Sequence, residues 1–325
     1  MRTDTNLPFD RLPLIVAIVG PTAVGKSDLA MHLAQVLPIE IVSADSRQVY
    51  RGLDVGTAKP TRDEQQQVPH HLIDVVDPRE DFSVAEFQDR AYMAIDGTLS
   101  RGKLPVLVGG TGLYVNAIVD GIRLPRVAPD PVLRRDLEQV AREQGADVLH
   151  RQLAAVDACA AERIDPRNVR RVIRALEVIL KSGELFSSFR EPAPRYHVLQ
   201  IGLTADRATL YRRIDERVDR QIDEGLVEET RHVLARGCPP SRPALGGLGY
   251  REVVAYLEGR LALQDAIERI KFETHRFVRQ QYTWFRLSDP AIHWIDVSTS
   301  ARDEALRLLR AHLSLVAANT ISVSI

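Results

Sequence analysis

Short apolar runs in the first third of the chain predict buried β-strands. They lie at residues 14–19, 39–43 and 104–108, and a further strand candidate lies at 72–76. After the first run, apolar residues recur at helical spacing from 29 to 37. Strands that alternate with helices indicate a parallel, doubly wound α/β sheet flanked by helices.

Before residue 122, Ser83 and Glu86 have capping-box spacing at the start of a helix that ends by Gly102. After about residue 122 the pattern changes. From 123, a proline-rich stretch leads into helical sequence rich in Arg, Glu and Ala, and residues 196–203 again resemble a core strand. We therefore predict an α/β core of residues 1–122 and 196–325 that ends in a helical segment, and a mostly helical insertion domain at 123–195.

Residues 20–27 match the phosphate-loop pattern G-x-x-x-x-G-K-[ST] and stand between the first predicted strand and its helix. In such a loop the backbone N–H groups and the helix dipole attract an anion, a lysine adds charge, and the serine hydroxyl ligates Mg²⁺. This context disfavours a chance glycine turn. The sequence predicts a P-loop NTPase-like fold and a di- or triphosphate site formed by Gly20, Pro21, Thr22, Ala23, Val24, Gly25, Lys26 and Ser27.

The strand at 104–108 ends in Gly109, Gly110 and Thr111, without the carboxylate that holds magnesium in ATP-hydrolysing motors. The nearest acid at a strand end is Asp45. In a parallel sheet, the phosphate loop, Asp45 and Thr111 share the carboxyl edge, where ligands bind. Asp45 is a candidate general base or metal-positioning group, with a turn role as the alternative. For Asp74 and Asp77 we favour turn or capping roles.

Basic residues are concentrated in three segments. Five arginines lie between 161 and 175, and residues 269–286 mix basic side chains with aromatic ones, as in proteins that bind unpaired RNA bases. An amphipathic helix with a solvated basic face explains the second segment equally well. In the third segment, at 207–220, Arg213 and Arg217 share a helix face and are candidates for closing over phosphates, or belong to a solvated, ion-paired face.

Composition and charge limit the kinds of ligand site and the cellular location that we expect for this chain. The chain is 45% hydrophobic and 27% charged with a net charge of −1, so a nucleic-acid site must come from local patches. Cys159 and Cys238 lie far apart without metal-ligand spacing, so we expect a cytosolic protein without disulfides. No apolar run approaches a membrane span, and residues 1–13 lack a signal-peptide core, so we expect no membrane attachment.

Eight segments together resemble the tRNA dimethylallyltransferases, the tRNA isopentenyltransferases of bacteria. They occur in the family's order across residues 14–296, and the ordered set is far more specific than the phosphate loop alone. The matching segments are 20–27, 43–50, 56–60, 69–74, 108–114, 174–178, 249–252 and 281–286.

The resemblance implies transfer of a dimethylallyl group from dimethylallyl diphosphate to the exocyclic amine (N6) of the adenine 3′ of the tRNA anticodon. The phosphate loop would then hold a diphosphate leaving group, which explains the absent strand-end carboxylate. Asp45 would accept the amine proton, and Thr111 would lie in the reaction channel. Lys26, Mg²⁺ on Ser27, Arg213 and Arg217 would stabilise the departing diphosphate.

The resemblance also implies a tRNA partner that binds through its anticodon stem-loop; we expect the protein to be a monomer. The sequence departs from many relatives at 167–168 and 279–281, both on the RNA side. The implied tRNA contacts are Asp45, Ser46, Arg47, Gln48, Thr111, Arg134, Arg170, Arg171, Arg174, Gly249, Tyr250, Arg251, Arg279, Gln281, Trp284 and Arg286.

Three alternatives stay open on the residues alone. The same chemistry on free adenine nucleotides needs neither the helical insertion nor the basic segment at 269–286. A nucleotide kinase shares the phosphate loop and the lid-type arginines. A non-enzymatic nucleotide- or RNA-binding protein would keep the loop as structure, but it would not need Lys26, Asp45 and Thr111 together.

Overall fold

The computed structural model describes residues 12–190 and 192–321. The predicted core ranges include residues 1–11 and 322–325, which lie outside the described residues. None of the helices within the described ranges is both long and apolar enough to cross a membrane.

Six parallel strands form one sheet, which confirms the predicted fold class. The strands are β1 (Leu14–Val19), β2 (Ile39–Ser43), β3 (His70–His71), β4 (Leu104–Val108), β5 (His197–Thr204) and β6 (Ile292–Asp296). Their order in the sheet is β3-β2-β4-β1-β5-β6. β1 is central, because Val16 is in register with Val106 of β4 and with Leu199 of β5. All six residues of β1 are buried.

Helices cover both faces of the sheet in the larger part of the chain. In chain order, the helices of the described residues, those of the insertion included, are α1 (Lys26–Ala34), α2 (Arg62–Gln67), α3 (Val84–Ser100), α4 (Gly112–Val119), α5 (Pro131–Gln144), α6 (Ala146–Val156), α7 (Ala158–Arg163), α8 (Val169–Ser182), α9 (Arg207–Asp223), α10 (Leu226–Ala235), α11 (Tyr250–Leu257), α12 (Leu263–Trp284) and α13 (Ala301–Ile321). The predicted capping box of α3 is present, since Ser83 and Glu86 exchange hydrogen bonds of 2.8 and 3.2 Å.

Alternation along β1 divides the core into two layers. Val16 and Ile18 face the layer that includes α1, α9 and α12, whereas Ile15 and Ala17 face the layer that includes α3 and α4. Since both faces of the strand are buried, its sequence is continuously apolar, as expected for a central parallel strand.

The predicted strand at 72–76 is wrong. The strand in this region is the two-residue β3, and Leu72 and Asp74 have φ angles of 65° and 56°, in the left-handed region. The N–H groups of Asp74 and Val75 donate to carbonyls of the loop after β2 instead of extending the sheet. The Asp74 carboxylate pairs with the buried Lys59 ammonium at 2.6 Å, so its structural role is an ion pair and not the turn or capping contact expected of it.

The chain forms two compact units. The larger contains the sheet, and the smaller is residues 120–194, close to the 123–195 range expected for the insertion. The smaller unit consists of α5 to α8 and a 3-10 segment, Phe186–Arg190, and it has an apolar core of its own around Leu149, Leu153 and Val172.

Candidate active site

A cleft of about 1720 Å³ opens at the carboxyl edge of the sheet in the larger unit. It lies where β1, β2 and β4 end, because parallel strands point their carboxyl ends to the same edge. The predicted site residues that line it are Thr22, Ala23, Val24, Gly25, Lys26, Ser27, Asp45, Ser46, Arg47, Gln48, Thr111, Arg213, Arg217, Gly249, Tyr250, Arg251 and Gln281.

The phosphate loop connects β1 to the first turn of α1. The Lys26 ammonium donates hydrogen bonds to the carbonyls of Gly20 and Pro21, at 3.0 and 2.7 Å, so these two residues contribute backbone beneath the cleft. Ser27 is exposed at the start of α1. The lysine, the serine hydroxyl and the positive end of the helix therefore face the same space, as anion binding requires.

The electrostatics of the cleft favour an anion. The pKa of Lys26 is lowered from 10.5 to about 7, mainly by burial; the Asp45 carboxylate opposes this shift, and the Arg217 charge adds a smaller lowering. Burial also lowers the pKa of Arg217, again opposed by Asp45. Two cations are thus held near each other with one carboxylate as compensation. An anionic ligand would relieve this repulsion.

Asp45 and Thr111 are joined through the turn after β2. The Asp45 carboxylate accepts the Arg47 N–H at 2.8 Å, and the Thr111 hydroxyl accepts the Ser46 N–H at 3.1 Å. The turn therefore fixes the Asp45 carboxylate and the Thr111 hydroxyl relative to each other. Asp45 makes the turn contact expected of a turn-former, and the same contact orients its carboxylate at the cleft.

The α9 arginines divide between the two expected roles. Arg213 and Arg217 turn toward the cleft, within 3.4 Å of the Val24 carbonyl and 3.5 Å of the Thr57 carbonyl respectively. The exposed Arg212 pairs with Glu216 at 2.9 Å, although Glu216 and the exposed Arg220 also line the cleft. One helix therefore supplies several cations to the cleft and also forms a solvated ion pair.

A carboxylate that sequence reasoning missed holds the loop at 53–57, which forms one wall of the cleft. Glu229 of α10 accepts the N–H groups of Asp54, Val55 and Gly56 at 2.7, 2.8 and 3.1 Å. Gln221 of α9 donates to the carbonyls of Val55 and Gly56. The side chains thus satisfy both the donors and the acceptors of this loop.

Tyr250 completes the same arrangement from α11. Its hydroxyl donates to Glu229 at 2.6 Å, and the residue is 1% exposed. The ring supports the loop from inside at Gly56, and the expected tRNA contact by Tyr250 stays a prediction. The exposed neighbour Arg251 lines the cleft and pairs with Glu252 and Glu273.

We predict that Glu229→Gln lowers the free energy of unfolding by about 1–3 kcal/mol, because an amide replaces a carboxylate that accepts four hydrogen bonds. Chemical denaturation measures the change. Glu228→Gln is the matched control, since Glu228 lies in the same first turn of α10 but is exposed and pairs with the exposed Arg231; we expect a change below about 0.5 kcal/mol. Equal losses in the two variants would contradict the role given to Glu229.

A family model described as IPP transferase matches residues 48–288, and one described as isopentenyl transferase matches residues 13–77. The chain belongs to the IPP transferase family. The tRNA dimethylallyltransferase of Thermomicrobium roseum is 52% identical over 294 residues, which cover 90% of this chain and 89% of that protein. That of Dehalococcoides mccartyi is 44% identical over 318 residues, covering 96% and 98%.

Solved structures show the same fold. The full-length tRNA isopentenylpyrophosphate transferase of Bacillus halodurans is 41% identical, with a TM-score of 0.69 over 95% of this chain and 98% of that one. A eukaryotic dimethylallyltransferase acting on tRNA is 26% identical, with a TM-score of 0.79 over 93% of this chain and 80% of that one.

In this IPP transferase, the predicted residues at the end of α12 lie in the larger unit but differ in position. Gln281 is buried and lines the cleft, whereas Arg279, Trp284 and Arg286 are exposed and are not among the described lining residues. Arg279 donates to the Tyr211 hydroxyl at 2.7 Å. Arg279, Trp284 and Arg286 thus expose two guanidinium groups and an indole at and just beyond the C-terminal end of α12.

The remaining predicted residues, Arg134, Arg170, Arg171 and Arg174, belong to the smaller unit. Arg134 and Arg174 both bind the fully buried Glu177, at 2.7 and 2.6 Å. Burial raises the pKa of the Glu177 carboxyl, but hydrogen bonds from Arg134, the Asp130 N–H and Arg174 outweigh it and bring the pKa to about 2. These two arginines therefore have a structural partner, whereas Arg170 is exposed.

Proposed function

We propose that this IPP transferase moves the dimethylallyl group of dimethylallyl diphosphate to the exocyclic amine of the adenine 3′ of a tRNA anticodon. The names of the relatives support a tRNA prenyl transfer. The observation that carries the assignment is the pairing of an intact phosphate loop with Asp45 and Thr111 across one cleft, while β4 ends in glycines instead of an acid.

The proposed step breaks one bond and forms one. The adenine nitrogen attacks the allylic carbon, the carbon–oxygen bond to diphosphate breaks, and the electron pair leaves with the diphosphate. Asp45 accepts the amine proton. An aromatic amine is a weak nucleophile, so holding it beside the allylic carbon matters as much as removing its proton. Lys26, Arg213 and Arg217 stabilise the charge of the leaving group.

A magnesium ion fits this site if the diphosphate supplies most of its ligands. Ser27 offers an exposed hydroxyl at the start of α1, and the described residues contain no cluster of three or more His, Cys, Asp or Glu side chains suited to a metal. Mg²⁺ is commonly held by phosphate oxygens, water and one or two protein oxygens. Ser27 would thus be its protein ligand, and the ion would neutralise the departing diphosphate.

We further propose that exposed or half-buried residues contact the tRNA anticodon stem-loop. Ser46, Arg47 and Gln48 follow Asp45 at the cleft, and Arg251 lies on its margin. Arg279, Trp284 and Arg286 offer phosphate contacts and a stacking surface. In the smaller unit, Arg170 and Arg171 are the better candidates, because Arg134 and Arg174 are engaged by Glu177.

Incubation with labelled dimethylallyl diphosphate and, separately, unmodified tRNA, AMP, or ATP plus AMP tests this function. We expect label in tRNA, at the adenine beside the anticodon, with release of diphosphate. Label in AMP but not in tRNA would establish the free-nucleotide activity instead. Formation of ADP from ATP and AMP without prenyl transfer would establish a kinase, and no reaction at all would favour a binding protein.

A further inference from the structure

Gln281 connects the two loops that carry the chemistry of the cleft. Its side-chain oxygen accepts the Thr22 N–H of the phosphate loop at 2.8 Å. Its side-chain nitrogen donates to the Gly110 carbonyl, beside Thr111, at 3.0 Å. The side chain comes from α12, 259 residues along the chain from the phosphate loop.

The fit around this amide is tight. Gln281 is 3% exposed. A Cβ on Gly110 would lie 2.3 Å from the Gln281 side-chain nitrogen, although the Gly110 backbone is not in the left-handed region. A side chain at 110 would therefore displace the Gln281 amide, whereas the backbone conformation at 110 does not itself call for glycine.

Two neighbouring residues also hold this turn of α12 in place. Tyr282 is hydrogen-bonded to Thr204, at the end of β5, at 2.9 Å. Trp284 packs on Gly112, where a Cβ would lie 2.3 Å from the indole. The turn that holds the two loops thus also carries Trp284 on the surface proposed for tRNA.

We propose that Gln281 is a positioning residue, which sets the phosphate loop and the Thr111 loop at the separation that diphosphate binding and transfer require, and is not itself a tRNA contact. This rests on the proposed function. Both ends of the amide hold backbone groups of the protein, and at 3% exposure the side chain leaves little surface for RNA to contact.

Gln281→Met tests the proposal, since methionine keeps the length of the side chain and removes both hydrogen bonds. We expect the Kd of inorganic diphosphate with Mg²⁺, measured by calorimetry, to rise about 10-fold and the single-turnover rate to fall about 100-fold, because small misplacements of reacting groups are costly. The Kd of unmodified tRNA should stay within about twofold of wild type. Gln264→Met, an exposed position early in the same helix, is the matched control and should change none of these values.

A second pair of variants tests the geometry independently. Gly110→Ala should weaken diphosphate binding about as much as Gln281→Met, because the new methyl displaces the amide. In a Gln281→Ala background the same Gly110→Ala change should cost less than about threefold, since the space is open. Thermal melting of each variant, run in parallel, verifies that the measurements are made on folded protein.

A lower tRNA affinity with unchanged diphosphate affinity in Gln281→Met would overturn the proposal and make Gln281 a tRNA contact. Unchanged diphosphate binding and turnover would also overturn it. Failure of the proposed function gives a different result, because wild-type protein would then bind diphosphate without transferring the prenyl group to tRNA.

Discussion

Asp45→Asn is expected to reduce the single-turnover rate of prenyl transfer by about 10²–10⁴-fold, the range typical of a general base. The amide keeps the size of the side chain and can still accept the Arg47 N–H, so the turn that holds Ser46 against Thr111 should persist. What is lost is the ability to take the amine proton. Rapid mixing of enzyme, labelled dimethylallyl diphosphate and saturating tRNA measures the chemical step directly.

The same variant should bind inorganic diphosphate at least as tightly as wild type. Asp45 attracts Lys26 and Arg217, and it carries the negative charge that an anionic ligand meets in the cleft. Removing that charge lowers the repulsion felt by diphosphate. Asp265→Asn, exposed at the start of α12, serves as a control with unchanged rate. A rate within about tenfold of wild type in Asp45→Asn would rule out the general-base role.

The sequence was sufficient to predict the parts of the site that follow directly from strand ends. The phosphate loop, Asp45 and Thr111 each come immediately after an apolar strand, and the parallel sheet brings such positions to one edge. Both the local pattern and the parallel arrangement of the strands can be inferred from the sequence. It was therefore predictable that the phosphate loop, Asp45 and Thr111 lie in one cleft.

The supports of the site were not predictable, because they are tertiary hydrogen bonds to backbone groups. Glu229 and Gln221 bind a loop more than 160 residues earlier, and nothing in the helical pattern around them marks these side chains. Gln281 was assigned to tRNA from its motif, whereas its amide binds Thr22 and Gly110. A motif shows that a residue type is needed but not which atoms it contacts.

The strand errors have a similar cause. The segment at 72–76 has the composition of a strand, but left-handed residues at 72 and 74 turn it toward the loop after β2. β6 was missed because this edge strand is short and half exposed, so it has no continuous apolar run. In both cases pairing with a distant segment decides the conformation.

Lys26→Met is expected to weaken diphosphate binding and to reduce the rate of transfer by about 10²–10³-fold, because the ammonium offsets charge that grows as the leaving group departs.

The same substitution should also change the pH dependence of diphosphate binding. In the free protein the pKa of Lys26 is lowered to about 7, and a bound anion favours the ammonium and raises that pKa. Above pH 7 binding therefore takes up a proton, and affinity falls by up to about tenfold per pH unit as the free lysine loses its charge. Calorimetry in buffers of different ionisation enthalpy measures this proton uptake. Lys26→Arg stays charged, so its proton uptake should come only from the titration of the ligand itself. Equal proton uptake in wild type and Lys26→Arg would mean that Lys26 is already charged before the diphosphate arrives.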